Sequence, residues 1–128
     1  MANPEQEIFS EMMGIGIRIS GWNLYDCLPG RGTRYPFIFI GEQYGGNKPV
    51  KAGRIGTVEQ SVHFYSDDKK RRGDVSAAME KFIAMAMKLR STYSYNVDCS
   101  DYRSQVIWDN TTGTPLIHGI LEFTVNYY

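Results

Sequence analysis

Between Gly73 and Arg90 the apolar residues recur at steps of three and four. Val75, Ala78, Met79, Phe82, Ala86 and Leu89 fall on one stripe of a helix with about 3.6 residues per turn, which predicts a helix over 73–90. Ala, Met, Lys, Glu and Leu favour that state. Asp74 is placed to cap its first turn, and Lys88 and Arg90 fall in the last turn, where the helix dipole favours cations. Met85 and Met87 lie off the stripe, so the helix is expected to touch something on a second side. A first helix begins near Pro4, with Asn3 as cap and Ile8, Phe9, Met12 and Met13 as its stripe. It is expected to run through Ile15, Ile17 and Ile19 to Ser20, with Gly21 as its stop.

Most of the remainder alternates as strands do. Trp22 to Asp26 reads as a short extended piece, and Leu28 to Arg34 as a loop punctuated by Pro29 and two glycines. Phe37 to Ile40 is apolar on both faces, as in a strand covered on both sides. A single helical layer covers one face, so the other calls for a second layer or another subunit. In 57–66, Val58, Val62 and Phe64 point one way, and Glu59, His63 and Tyr65 the other. Tyr102 to Trp108 is a strand, 109–115 a turn, and 116–127 a last strand with Ile117, Leu121, Phe123, Val125 and Tyr127 on one face. Between two good strands lies QYGGNKPVKAGRIG, residues 43–56, with four glycines, a proline and three cations. A hairpin loop needs only about two to five residues, so this stretch predicts an extended arm or flap.

The order helix, hairpin, helix, hairpin predicts an α+β fold. It is a mainly antiparallel sheet of four to five strands with two helices packed on one face. At 128 residues the chain is one domain, 1–128, long enough for a core without staples. Fourteen cations balance fourteen carboxylates, which argues against a nucleic-acid binder and leaves little repulsion against self-association. The polar start MANPEQE is not a signal peptide, and no apolar run is long enough for a membrane span; assembly in the cytoplasm with free thiols at Cys27 and Cys99 is expected.

Candidate chemistry is sparse. His63 and His118 sit at polar strand positions, but no HxH, HxxxH or CxxC spacing accompanies them, so surface or packing roles are expected and no metal or other cofactor. No family signature of a nucleophile surrounds Cys27. Arg72-Gly73-Asp74 reads as a loop-to-helix junction, and Asn110-Thr111-Thr112 as a turn. No phosphate loop is present, and no carboxylate pair is placed for acid–base work. The chain reads as no enzyme. Lys69, Lys70, Arg71 and Arg72 form a basic run partly cancelled by Asp67 and Asp68; a solvated loop is the default, and contact with an acidic partner the alternative.

Four short pieces taken in order resemble one family. Leu24-Tyr25-Asp26-Cys27-Leu28-Pro29, then Tyr35-Pro36-Phe37-Ile38-Phe39-Ile40-Gly41-Glu42, resemble the "YDxLP … YPFxxxGE" opening of the tail-completion, or tail-terminator, proteins of long-tailed bacteriophages. Val62 to Ser66 and the central helix follow in place. His118-Gly119-Ile120-Leu121-Glu122-Phe123 resembles the family's "HGxLxF" ending. The resemblance implies a virion structural protein: a homo-oligomeric ring, commonly a hexamer, that caps the finished tail tube at its head-proximal end and forms the head–tail joint. Its implied partners are itself, the tail tube protein and a head-completion connector, with passing contact to DNA in the lumen and none with membrane. The family has no catalytic residues to carry over. The 43–56 arm and the DDKKRRGD turn depart from its pattern. Contact with a neighbouring subunit or partner is expected from the arm and the basic run: Tyr44, Lys48, Lys51, Arg54, Lys69, Lys70, Arg71 and Arg72. The alternatives are a head-closure or minor capsid connector of the same joint, and a small cytoplasmic ligand-binding domain.

Overall fold

The computed structural model describes residues 3–27, 30, 33–50, 53–110 and 113–128, with side chains for all of these except 47–50, 53 and 54. Leu28, Pro29 and Lys51, and the Thr111-Thr112 turn, lie outside the described residues.

Helix α1 spans Pro4–Ile17, with Pro4 in its first turn and the Asn3 side chain accepting the Gln6 N–H at 3.1 Å. It ends before the expected Ser20. Arg18 N–H donates to Ile15 O at 3.0 Å and Ile19 N–H to Gly16 O at 3.2 Å, so a tightened turn carries the chain on. That turn keeps Ile19 buried and leaves Ile17 exposed. Gly21 follows with φ +83, a backbone conformation that favours glycine.

Helix α2 spans Arg72–Ala86, a turn shorter at its C-terminal end than the 73–90 stripe implies. Val75, Ala78, Met79, Phe82, Ile83 and Ala86 are buried, and Met85, Met87 and Leu89 pack partly against the same core. Arg90 lies past the helix, yet its Nη1 donates to Met87 O and Leu89 O, both at 2.9 Å. The capping expectation is corrected. Lys69–Arg71 form a 3-10 turn running directly into α2, so Asp68 is the cap, accepting the Lys70 N–H at 2.9 Å. Asp74 lies inside the first turn of α2 and receives Arg71 Nη1 at 2.9 Å.

Five strands follow the order β1-β2-β3-β5-β4, where β1 is Asn23–Tyr25, β2 Phe37–Val50, β3 Gly53–Ser66, β4 Val97–Asp109 and β5 Leu116–Tyr127. All neighbours are antiparallel except β1 and β2, which are parallel. Both helices cover one face, where Ile38, Ile40, Val58, Val62, Phe64, Leu121, Phe123 and Val125 meet Ile8, Met12, Phe82 and Ala86. Phe82 contacts Phe64 edge-on and stacks on Phe123. The α+β class with two helices on one side of the sheet is what the periodicities predict.

Of the arm or flap expected at residues 43–56, the structure shows an arm. Glycine and proline are poor strand formers, yet β2 and β3 pair from Gln43↔Gln60 to Val50↔Gly53. The arm is therefore a continuation of the hairpin. It outruns its flanking strands: β1 ends at Tyr25↔Phe39, and β5 at Gly56↔Tyr127.

Candidate functional site

Among the described residues no second layer covers the face away from the helices. Phe37 is nonetheless buried there, because Tyr25, Tyr35 and Tyr65 close over it with ring centroids 5.5, 5.4 and 4.9 Å away. Aromatic side chains thus supply locally the cover that the two-sided Phe37–Ile40 strand calls for.

Beside that cluster, four strands each contribute one polar side chain to a line across the sheet. Glu42 comes from β2, His63 from β3, His118 from β5 and Asp109 from β4. A bulge in β2 between Ile40 and Gln43 aims Glu42 at this face. The buried Gln60 holds the bulge by donating Nε2–H to Gly41 O at 3.0 Å and Glu42 O at 3.3 Å. Position 41 must be glycine, since a Cβ there would stand 2.9 Å from the His63 ring. His63 Nε2 lies 3.3 Å from Glu42 Oε2, His63 Nδ1 2.8 Å from His118 Nε2, and His118 Nδ1 3.9 Å from Asp109 Oδ2. Two imidazolium rings have donors only, so both cannot be charged across the 2.8 Å contact. The network assigns the proton of His63 to Nε2, facing Glu42, and that of His118 to Nε2, donated to His63 Nδ1.

Burial, reinforced by the neighbouring His63, pushes His118 down to about 4. Tyr65 stacks on His118 at 4.2 Å, and its hydroxyl is raised by burial and by Asp109 and Glu42. Burial alone would raise Glu42; hydrogen bonds and the His63 ring outweigh it and hold the carboxyl below its usual range. The line links β2, β3 and β5 through Glu42, His63 and His118, with Asp109 of β4 beside the His118 ring. Among the described residues no group of three or more His, Cys, Asp or Glu is placed to hold a metal ion. Cys99 is buried, which pushes its thiol up to about 11, while Cys27 is exposed.

Sequence reasoning placed both histidines on the polar face but did not bring them together. The signal was register: pairing Tyr65↔His118 and His63↔Ile120 makes the two rings diagonal neighbours.

The sequence-predicted contact residues fall at two ends of the molecule. Tyr44 lies in β2 opposite Glu59 and is 69% exposed. Lys48 pairs with Ile55, and Arg54 with Pro49, at the backbone of the arm. Lys69, Lys70, Arg71 and Arg72 are exposed and follow the opposite end of β3. Arg71 is tied to Asp68 at 3.4 Å as well as to Asp74. The structure does not bring the two basic groups together. Near the second, a cavity of about 460 Å3 opens between Trp22, Pro36, Asp67, Arg71, Ala77 and Lys81.

No protein-family model and no curated protein matches the chain. Among solved structures it is similar to a chain in the virion of a native gene transfer agent particle, with a TM-score of 0.61 at 10% identity. The match covers 94% of this chain and 84% of that one. At that identity the likeness establishes a shared fold.

Proposed function

We propose that this protein is a structural component of a phage-like virion, and within it the tail terminator: a ring subunit that caps the tail tube at its head-proximal end and presents the joint to the head. The observation carrying the proposal is one fold spanning both chains nearly end to end, the other chain being part of a gene transfer agent virion. The ordered resemblance of Leu24–Pro29, Tyr35–Glu42 and His118–Phe123 to tail-completion proteins narrows it to the terminator. The role is assembly, without catalysis.

The architecture suits a ring. Among the described residues no layer covers one face of the sheet, and the edge strand β4 exposes Tyr102, Ile107 and Trp108. Exposed edges of this kind are sites for pairing with another chain. Closure requires heterologous contacts, with one surface on each side of the subunit. A hexamer, partners in the tail tube and the head-completion connector, and passing contact with DNA in the lumen belong to the same proposal. So do a place at the head-proximal end of the virion tail and assembly in the host cytoplasm.

The test is absolute mass by light scattering across a concentration series, then electron microscopy with purified tail tubes. The expected result is a discrete ring mass, or a smaller species that caps one end of each tube. A strict monomer that leaves tubes uncapped overturns the terminator role.

A further inference from the structure

The chain is neutral, yet its charge is segregated. Six carboxylates, Glu42, Glu59, Asp98, Asp101, Asp109 and Glu122, point to the uncovered sheet face: four share strand parity through the pairs Glu59↔Tyr44, Asp98↔Asn126, Asp101↔Thr124 and Ser61↔Glu122. The other two face the histidines. Among the described side chains Arg103, held by Glu122, is the cation on that face. Six negative charges less one positive leave it at −5, with His118 neutral.

The arm is the reverse. Residues 47–54 carry Lys48, Lys51 and Arg54 and no acid, a charge of +3. The arm continues β2 and β3 past the ends of β1 and β5. In register, the pairs Lys48↔Ile55 and Pro49↔Arg54 lie past the last strand pairs that carry the acidic face, Tyr44↔Glu59 and Thr57↔Asn126.

We propose that the acidic sheet face is the seat for the basic arm of a second copy. The contact joins unlike surfaces, so each subunit offers one arm and one seat, and successive subunits add head to tail. It deepens the ring reading and rests on it for closure. Complementary charge sets register and speeds encounter. At physiological salt the field reaches only about 8 Å, so the attraction acts between surfaces nearly in contact.

The test uses full-length chains lacking Cys27 (Cys27→Ser), with the buried Cys99 left in place. One variant carries Pro49→Cys in the arm, the other Thr124→Cys on the acidic face. Mixed under mild oxidation, they should give a covalent heterodimer of about 29 kDa, twice the 14.6 kDa chain. It should form at least about tenfold faster than from Pro49→Cys mixed with Ser76→Cys on the exposed side of α2. Adding Glu59→Lys, Asp98→Lys and Asp101→Lys to the Thr124→Cys chain takes the face from −5 to +1 and should remove the advantage, and adding Lys48→Glu, Lys51→Glu and Arg54→Glu to its partner takes the arm from +3 to −3 and should restore part of it. Equal rates for the face and the α2 control overturn the proposal, as does an advantage that survives charge reversal. Tube capping without preferential cross-linking removes this contact and leaves the ring. Preferential cross-linking without capping keeps the contact and removes the tail role.

Discussion

His118 shows how much one side chain's surroundings decide. In the fold it is held at about 4 against an ordinary value of 6.5, first by burial and then by His63. Between those values the unfolded chain binds a proton that the folded chain refuses. Stability therefore rises with pH across this window and is lost as pH falls from about 6.5 towards 4, by about 3 kcal/mol at most. Glu42, held low, is stabilising above its ordinary value of 4.5 and adds its own loss only as pH falls below that. His118→Gln keeps a polar partner for His63 and removes the titration, so its urea-unfolding free energy should be nearly flat between pH 4.5 and 6.5. A slope equal to that of the parent would assign the titration to another group. Alternation alone put His63 and His118 on the polar face. It could not make them partners, because neighbours across a sheet are set by register, and register depends on a bulge that no local pattern announces.

At the scale of elements, the apolar stripe of α2 was legible, while the place where it docks was hidden in a glycine. A Cβ on Gly119 would meet Met79 Sδ at 2.6 Å and Val75 Cγ1 at 3.1 Å, so β5 must be bare at that point for α2 to lie against it. Gly16 does the same for α1 over β1, where Leu24 Cδ1 occupies the missing Cβ's place at 2.6 Å. Met79 can swing aside, but the β-branched Val75 is stiff. Gly119→Val should therefore cost about 1–3 kcal/mol in denaturant unfolding, the range for an overpacked core. Val75→Ala in the same chain should recover part of that loss; no recovery would place the strain elsewhere. Helix ends were less legible than helix interiors, since Asp68 rather than Asp74 became the cap once a 3-10 turn preceded α2. That the 43–56 arm is built of paired strand was hidden for a related reason. Glycine lowers intrinsic strand preference, but pairing from Gln43↔Gln60 onward satisfies the backbone whatever its side chains.

For the whole molecule, composition and periodicity already contained the α+β class and the helices' shared side. What they lacked was the distribution of charge in space: a net charge of zero conceals an acidic sheet face and a basic arm that lies beyond it. That separation makes a sharp demand. The arm outruns both flanking strands, so removing it should spare the fold. Replacing Asn47–Gly56 by Asn-Gly would close the hairpin after the pair Gly46↔Thr57 with the two-residue turn that suits twisted strands. The shortened chain is expected to keep its far-ultraviolet circular dichroism and to unfold within about 1 kcal/mol of the parent, as changes away from packed or capped sites do. It should also sediment as a monomer where the parent associates, and leave tail tubes uncapped. If the shortened chain still forms the parent's oligomer, subunits meet through the β4 edge or the aromatic end of the sheet, and the arm is dispensable to the ring. If it loses both assembly and fold, the arm is part of the domain's stability, and its separation from the core is wrong.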